Sequence, residues 1–185
     1  MHSLEAIDRD YELALLAVED VNAASRSDTR LLITASTQQA VETLALHVHD
    51  AGSRAQCPFV RIWAGDIPVR PEPLNEYCVR LLDAAAAGSV LVSAVEEMPA
   101  IVQEALIELL DGLEFTRRPS AAVRLISGTT VSLLERVAAG TFSEQLFYRL
   151  NTIHLMAYDG PVNLGGADNS AKVHVSTLST PQLPR

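Results

Sequence analysis

The chain has 185 residues, of which 48% are apolar, enough to bury one substantial core. Its 23 acidic and 14 basic residues give a formal charge of −9, so the surface as a whole repels phosphate backbones. This excludes non-specific nucleic-acid binding, and we expect no direct DNA contact. No apolar run approaches the ~18 residues that span a bilayer, so we expect no membrane contact and a cytoplasmic location.

The first predicted element is an amphipathic helix between Leu4 and Val21. Its apolar residues recur at spacings of three and four with acidic residues between them, so the helix needs an apolar surface to lie on. We assign residues 1–30 to this helix and a linker.

From Leu31 onward, short apolar runs alternate with helical stretches. The runs predict strands at 31–34, 59–63, 89–93, 122–126 and 152–156. The stretches between them predict helices at 38–50, 74–87, 99–113, 131–139 and 142–150. This alternation predicts an α/β fold with a mainly parallel sheet and helices on both faces. After Tyr158 the polar, Gly- and Pro-containing composition predicts a mobile tail over 158–185, with 173–175 as a candidate edge strand.

The segment from Phe142 to Asn151 carries a family resemblance. It reads F-S-E-Q-L-F-Y-R-L-N and resembles the F-R-x-D-L-Y-Y-R-L-N segment of bacterial sigma-54-dependent transcription activators, which are AAA+ ATPases. In that family the two arginines are fingers that reach a neighbouring subunit's γ-phosphate. Here Ser143 holds the first finger position and Arg149 the second. For Arg149 a structural or interface salt bridge is the favoured interpretation.

The resemblance implies a P-loop NTPase-like AAA+ core over residues 31–157, with five parallel strands flanked by helices. Nothing after Met156 matches the family's helical lid or its helix-turn-helix domain, so we expect a core that lacks the lid. The 19 residues between Pro68 and Gly88 contain no counterpart of the G-A-F-T-G-A loop with which the family touches the sigma factor.

The phosphate-loop positions have lost their chemistry. Residues from Leu31 to Glu42 align with the family's V-L-I-T-G-E-S-G-T-G-K-E, and Glu42 is retained. A phosphate loop needs glycines, so that backbone N–H groups can turn toward the phosphate, and a lysine to neutralise charge. The three glycine positions are Ala35, Gln38 and Ala40, and the lysine position is Val41. The only lysine in the chain is Lys172.

The magnesium and sensor positions are changed in the same way. The segment from Gly88 to Pro99 resembles G-T-L-F-L-D-E-I-x-E-L-P, in which Asp binds magnesium and Glu orients the attacking water, and here these two positions are Ser93 and Ala94. Glu97 matches the E-L-P element, so we interpret the two carboxylates at 96 and 97 as helix-entry residues. The segment 124–130 resembles the sensor strand R-V-I-A-A-T-N. It keeps Thr129 but has Thr130 in place of the sensor Asn.

A metal site on the following helix is not expected. His47 and His49 lie two residues apart, so on a regular helix their side chains point about 200° apart and cannot chelate one ion.

Although the resemblance implies ATP and magnesium, these substitutions lead us to predict no cofactor, no metal and no catalytic residue. The expected function is a non-catalytic AAA+-like domain that acts through protein contacts in transcriptional regulation. Its partner is an intact AAA+ subunit, a signalling protein or a second copy of the chain. The alternatives are a nucleotide-binding regulator with weak or partner-completed ATPase activity, and a decayed gene product with no selected function.

Overall fold

The structure is a computed structural model that describes residues 19–116 and 123–157. The predicted tail over 158–185, its candidate strand at 173–175 and most of the predicted first helix lie outside the described residues. In the part that is described, no helix is long and apolar enough to cross a membrane.

Five strands form one sheet in the order β2-β3-β4-β1-β5, and all four strand pairings are parallel. The strands are β1 (Leu31–Ala35), β2 (Phe59–Trp63), β3 (Ser89–Ser93), β4 (Arg124–Thr129) and β5 (Ile153–Ala157). The parallel sheet predicted from the alternating pattern is therefore confirmed. Every residue of β1 and β3 is buried, as expected for strands covered on both faces.

Helices cover both faces of the sheet. They are α1 (residues 19–26 of the described chain), α2 (Gln38–Asp50), α3 (Pro71–Ala85), α4 (Ala100–Thr116), α5 (Leu133–Ala138) and α6 (Glu144–Leu150). Short 3-10 turns lie at Ala64–Asp66 and Val95–Glu97. On one face α1 and α2 pack against β1 and its neighbours, and the core of the other face includes residues of α3, α4, α5 and α6.

The largest boundary error of the sequence prediction among the strands concerns β4. The pattern predicts a strand at 122–126, but β4 continues through Ser127, Gly128 and Thr129. These small and polar residues belong to the strand because they pair with Leu32–Thr34 of β1 and are buried by their neighbours. Tertiary pairing here overrides the local apolar pattern.

A buried arginine connects α1 to the amino edge of the sheet. The amino edge is the side of the sheet at which the parallel strands begin. Arg124, the first residue of β4, is 3% exposed. Its guanidinium donates to the carbonyl oxygens of Ala24 at 2.8 Å and Thr29 at 3.3 Å. Val21 and Ala24 of α1 are themselves buried against α2 and β1. The described helix α1, residues 19–26, therefore packs on the core.

A histidine and a second arginine complete this edge. One ring nitrogen of His49 lies 2.9 Å from Ser89 Oγ and the other 3.1 Å from the Cys57 carbonyl oxygen, so the ring bridges α2 to the starts of β3 and β2. Arg54 forms an ion pair with Asp28 at 2.9 Å. The amino edge thus consists of satisfied polar contacts between separate elements.

Candidate functional site

The candidate site lies at the carboxyl edge of the sheet, where the parallel strands end and where α/β proteins bind ligands. It begins with the connection from β1 to α2. Only Ser36 and Thr37 separate the two elements. The former glycine positions Gln38 and Ala40 lie inside the first turn of α2, and Ala35 is the last residue of β1. These residues therefore form a helical turn and not the loop that the family motif would form.

Hydrogen bonds within the chain use the backbone groups of this connection. The Ser36 N–H donates to the Ala157 carbonyl of β5 at 3.2 Å. Thr37 caps α2, with its Oγ1 accepting from the Ala40 N–H at 3.1 Å, and its carbonyl accepts from the Val41 N–H at 3.1 Å. None of residues 35–41 has a positive φ. A phosphate cradle needs free N–H groups turned toward one point, and these three already have partners.

Val41 points into the core and not toward the strand ends. It is 0% exposed and packs in the cluster that joins α1, α2 and the sheet. Its Cγ1 occupies the space into which a Cβ at Gly128 would project, so an alanine at 128 would collide with it. The motif that this strand resembles has alanine at that position. Val41 and Gly128 are thus complementary in shape.

Glu42, which the sequence retains from the motif, lies on the surface. Its carboxylate forms an ion pair with Arg61 of β2 at 2.9 Å, and the two side chains are 39% and 63% exposed. Exposed pairs of this kind contribute little to stability. Glu42 therefore has a surface contact with β2 and no partner at the strand ends.

The end of β3 carries no charge at the two catalytic positions. Ser93 and Ala94 are both buried. Ala94 has a φ of 55°, in the left-handed region that is unfavourable for a residue with a Cβ, and the 3-10 turn Val95–Glu97 follows. A strained turn therefore follows β3. Neither Ser93 nor Ala94 supplies a carboxylate that could bind magnesium or orient water.

Glu96 makes a contact that the sequence did not predict. Instead of serving only the helix entry, its Oε1 accepts from both the backbone N–H and the hydroxyl of Thr130, each at 3.2 Å. Its Oε2 is buried and has no hydrogen-bond partner among the described residues. The neighbouring Glu97 accepts from the Trp63 indole N–H at 2.8 Å. The Glu96 carboxylate thus contacts Thr130 at the sensor position, 34 residues further along the sequence.

The two sensor-like threonines are both engaged within the chain. Thr129 is buried, and its hydroxyl bonds the backbone carbonyl and N–H of Val131. Thr130 binds Glu96, as described above. Both hydroxyls therefore have protein partners.

The segment that resembles the finger region contains α6. Both finger positions, Ser143 and Arg149, make contacts within their own chain. Ser143 caps α6 by accepting from the Leu146 N–H at 3.3 Å, and its own N–H donates to the buried Gln103 side chain at 2.7 Å. Arg149 forms an ion pair with Asp111 of α4. Arg149 is 24% exposed and joins two helices of its own chain. The sequence favoured either a structural or an interface salt bridge for Arg149. The structure contains the structural one, within the chain.

A cleft of about 590 Å³ opens between the ends of β1, β4 and β5 and helix α5. Its polar lining residues are Thr34, Ser36, Thr130, Ser132, Glu135 and His154. No lysine or arginine is among the described residues that line it. His154 Nε2 lies 2.8 Å from Thr34 Oγ1, and burial lowers the pKa of His154, which favours a neutral ring at pH 7. An anion in this cleft would meet one carboxylate and no cation.

The two helical histidines do not converge. His49 is turned toward Ser89 and the Cys57 carbonyl, while His47 lies on another side of α2. In the described part of the chain, no three His, Cys, Asp or Glu side chains come together as a metal site.

The fold and the order of its strands define a class, the P-loop NTPase-like AAA+ domain, to which the solved structures also point. The P-loop NTPase domain of a sigma-54 activator from Escherichia coli superposes with a TM-score of 0.55 at 19% identity, covering 75% of this chain and 89% of that one. NtrX from Brucella abortus, solved in complex with ATP, superposes with a TM-score of 0.66 at 27% identity, over 80% of this chain and 37% of that one.

Within this class the chain is similar to the sigma-54-dependent transcription activators. Residues 78–156 match the Sigma-54 interaction domain family. The regulatory protein AtoC of Escherichia coli is 30% identical over 159 residues, 75% of this chain and 34% of AtoC. The first three curated relatives are covered over 34%, 54% and 38% of their length, so this chain spans only part of them. The chain thus resembles the AAA+ core of proteins that regulate transcription.

Proposed function

We propose that this chain is a catalytically silent AAA+ domain that contributes to transcriptional regulation through protein contacts, in the cytoplasm and without a nucleotide cofactor. The observation that carries the proposal is the connection from β1 to α2. It is a capped helix start in which the N–H groups of Ser36, Ala40 and Val41 have partners, and its lysine position is a core valine.

The remaining positions support the same proposal. ATP bound at this edge would bring several negative charges to a cleft whose described lining includes Glu135 and no lysine or arginine. Ser93 and Ala94 offer no carboxylate for magnesium, and a single missing preorganised group already costs ~10²–10³ in rate. Since Arg149 is paired with Asp111, a finger role would require breaking that ion pair.

Nucleotide titration tests the silent function directly. We expect no saturable binding of ATP with magnesium to the full chain by calorimetry, and no phosphate release above that of a buffer control. The matching AAA+ core of AtoC, assayed in parallel, serves as the positive control. Saturable binding at micromolar ATP would overturn the proposal.

Two variants sharpen this test. Val41→Lys alone restores the charge but leaves the helical turn, so we expect it to bind ATP no better than the wild type. A variant that also carries Ala35→Gly, Gln38→Gly and Ala40→Gly restores the glycines and frees this segment from its helical preference. Binding by the second variant alone would show that backbone geometry is what the natural chain lacks.

The alternative is a nucleotide-binding regulator with weak or partner-completed ATPase activity. Glu96 favours it, because its buried Oε2 has no hydrogen-bond partner in the described part of the chain and lies near the strand end that the family uses for catalysis. In this case adding an intact AAA+ partner would produce hydrolysis that Glu96→Gln reduces by at least ~10-fold. If hydrolysis by the mixture is unchanged by Glu96→Gln, this alternative is wrong.

The partner that we propose is an intact AAA+ subunit, with a signalling protein or a second copy of the chain as the other possibilities. Affinity capture of the full chain at its natural level in the cell tests it. Recovery of one AAA+ protein in stoichiometric amount would support the proposal. Recovery of no protein in stoichiometric amount would favour the decayed gene product.

A further inference from the structure

Strand β2 lies at one end of the strand order, and among the described residues it pairs with β3 alone. The register of this pairing fixes which backbone groups of β2 point outward. The Ser89 N–H donates to the Pro58 carbonyl at 3.0 Å, so Val60 and Ile62 also turn their backbone groups toward β3. The intervening residues, at 59, 61 and 63, therefore turn theirs away from the sheet.

These outward backbone groups are open to pairing. In the described part of the chain, the N–H groups of Phe59, Arg61 and Trp63 and the carbonyls of Phe59 and Arg61 have no hydrogen-bond partner. The side chains of Arg61 and Trp63 are 63% and 36% exposed, so this side of the strand is accessible. A row of free N–H and C=O groups on an accessible strand is a template for another strand.

The side chains of the same three residues lie on the face of the sheet that carries α2. Phe59 packs against the core cluster of that face, and Arg61 forms its ion pair with Glu42 of α2. A charged residue on a short outer strand usually discourages pairing. Here the charge of Arg61 is neutralised by Glu42. Two copies of a chain with a formal charge of −9 repel each other, so contact between them is least opposed where the surface is locally neutral.

The pattern of outward groups is self-complementary. When β2 meets β2 of a second copy in antiparallel orientation about a two-fold axis at Arg61, all five residues of the strand are paired. Arg61 then exchanges both backbone hydrogen bonds with Arg61 of the second copy. Phe59 lies opposite Trp63 of the second copy on the same face, which makes an aromatic cross-strand pair on each side of the axis.

We propose that the outer side of β2 is a docking surface for a second copy of this chain, and that the two sheets join there into one continuous sheet. Pairing of two five-residue strands buries less than the ~1,200 Å² at which standard interfaces begin, so the dimer is weak and forms at high protein concentration. The proposal goes beyond the proposed function and does not depend on nucleotide binding, which the ATP titration tests separately.

Amide exchange of the full chain, measured by NMR in dilute and in concentrated protein, tests the pairing residue by residue. We expect exchange of the N–H groups of Phe59, Arg61 and Trp63 to become at least ~10-fold slower in concentrated protein. Val60 and Ile62, which face β3, should exchange slowly at both concentrations. A change that does not alternate along β2 would overturn the proposal.

Charge variants test the role of the Arg61–Glu42 pair, with sedimentation velocity as the measurement. Arg61→Glu places four carboxylates around the two-fold axis, so it should weaken the dimer at least ~10-fold. The matched control is Arg136→Glu, which makes the same charge change at an exposed position of α5, beside the ends of β1, β4 and β5. It should dimerise as the wild type does.

The charge-swapped double variant, Arg61→Glu with Glu42→Arg, separates charge from strand structure. It restores a neutral pair on each copy, so we expect it to regain the dimerisation that Arg61→Glu alone loses. Continued loss in the double variant would contradict the role of the ion pair.

Three other outcomes would overturn the docking surface. The chain stays monomeric up to sub-millimolar concentration, or Arg61→Glu and Arg136→Glu dimerise equally. In the third, the outward amides already exchange slowly in dilute, monomeric protein, which would show that another segment of the same chain covers β2.

Discussion

The two edges of the sheet differ in what their polar groups do. At the amino edge, Arg124 and His49 hold separate elements together through buried contacts with main-chain carbonyls and a hydroxyl. At the carboxyl edge, the positions that carry charge in the activators are a core valine, a serine and an alanine. Polar contacts at the amino edge therefore join the elements of the fold, while the carboxyl edge has the same fold without those charged side chains.

Replacing Arg124 should have the largest effect. Arg124→Met keeps the apolar stem but leaves the carbonyls of Ala24 and Thr29 without their charged donor, so we expect a loss of about 3 kcal/mol in the free energy of unfolding. Urea denaturation measures it. The control is Ser93→Ala, an equally buried polar position at the carboxyl edge, with an expected loss under about 1 kcal/mol. Equal losses would contradict the contrast between the edges.

Gly128→Ala tests the packing of Val41, the residue at the motif's lysine position. The added methyl group collides with Val41, and overpacking of this kind costs about 2 kcal/mol. Combining it with Val41→Ala should recover part of the loss. A double-mutant cycle measured by urea denaturation should give a coupling energy of at least about 0.5 kcal/mol. If the two losses simply add, the two residues are not complementary.

Thr37→Ala tests whether the former phosphate loop is a capped helix start. Loss of the cap should cost about 1 kcal/mol. Thr43→Ala makes the same substitution at an exposed position inside α2, where alanine has the higher helix propensity, so it should leave stability unchanged or slightly raised. Thermal unfolding of both variants decides the point, and a Thr37→Ala protein as stable as Thr43→Ala would count against the cap.

The smallest effect concerns pH. Burial lowers the pKa of His154 in the folded chain, so below about pH 6.5 the unfolded chain binds a proton that the folded chain does not. Stability should therefore decline as the pH falls from about 6.5 toward the folded-state pKa of His154. His154→Asn should flatten the profile of unfolding free energy between pH 7 and pH 5. Parallel profiles for the two proteins would show that His154 does not contribute.

The sequence predicted the fold well because the fold follows from local patterns. Strands β2 and β3 and helix α2 match their predicted limits, since their apolar periods are set by burial on a parallel sheet. The family resemblance is also confirmed by the matching domain family and by the solved structures. The absence of catalysis stays a prediction.

Contacts between residues distant in sequence were beyond prediction. Glu96 meets Thr130 across 34 residues, and Arg149 meets Asp111 across 38. No local period encodes such pairs, because they depend on how helices and strand ends pack in space. A carboxylate three residues past the end of β3 was the one available signal for Glu96, and the helix-entry interpretation set it aside.

The close fit of Gly128 to Val41 also has an evolutionary consequence. A mutational path back to an alanine at 128 and a lysine at 41 passes through single variants that are each expected to be worse than this chain. Alanine at 128 collides with the valine, and lysine at 41 gains no ligand while the helical turn persists. Such epistasis is expected to disfavour these changes one at a time, so core packing preserves the valine at position 41.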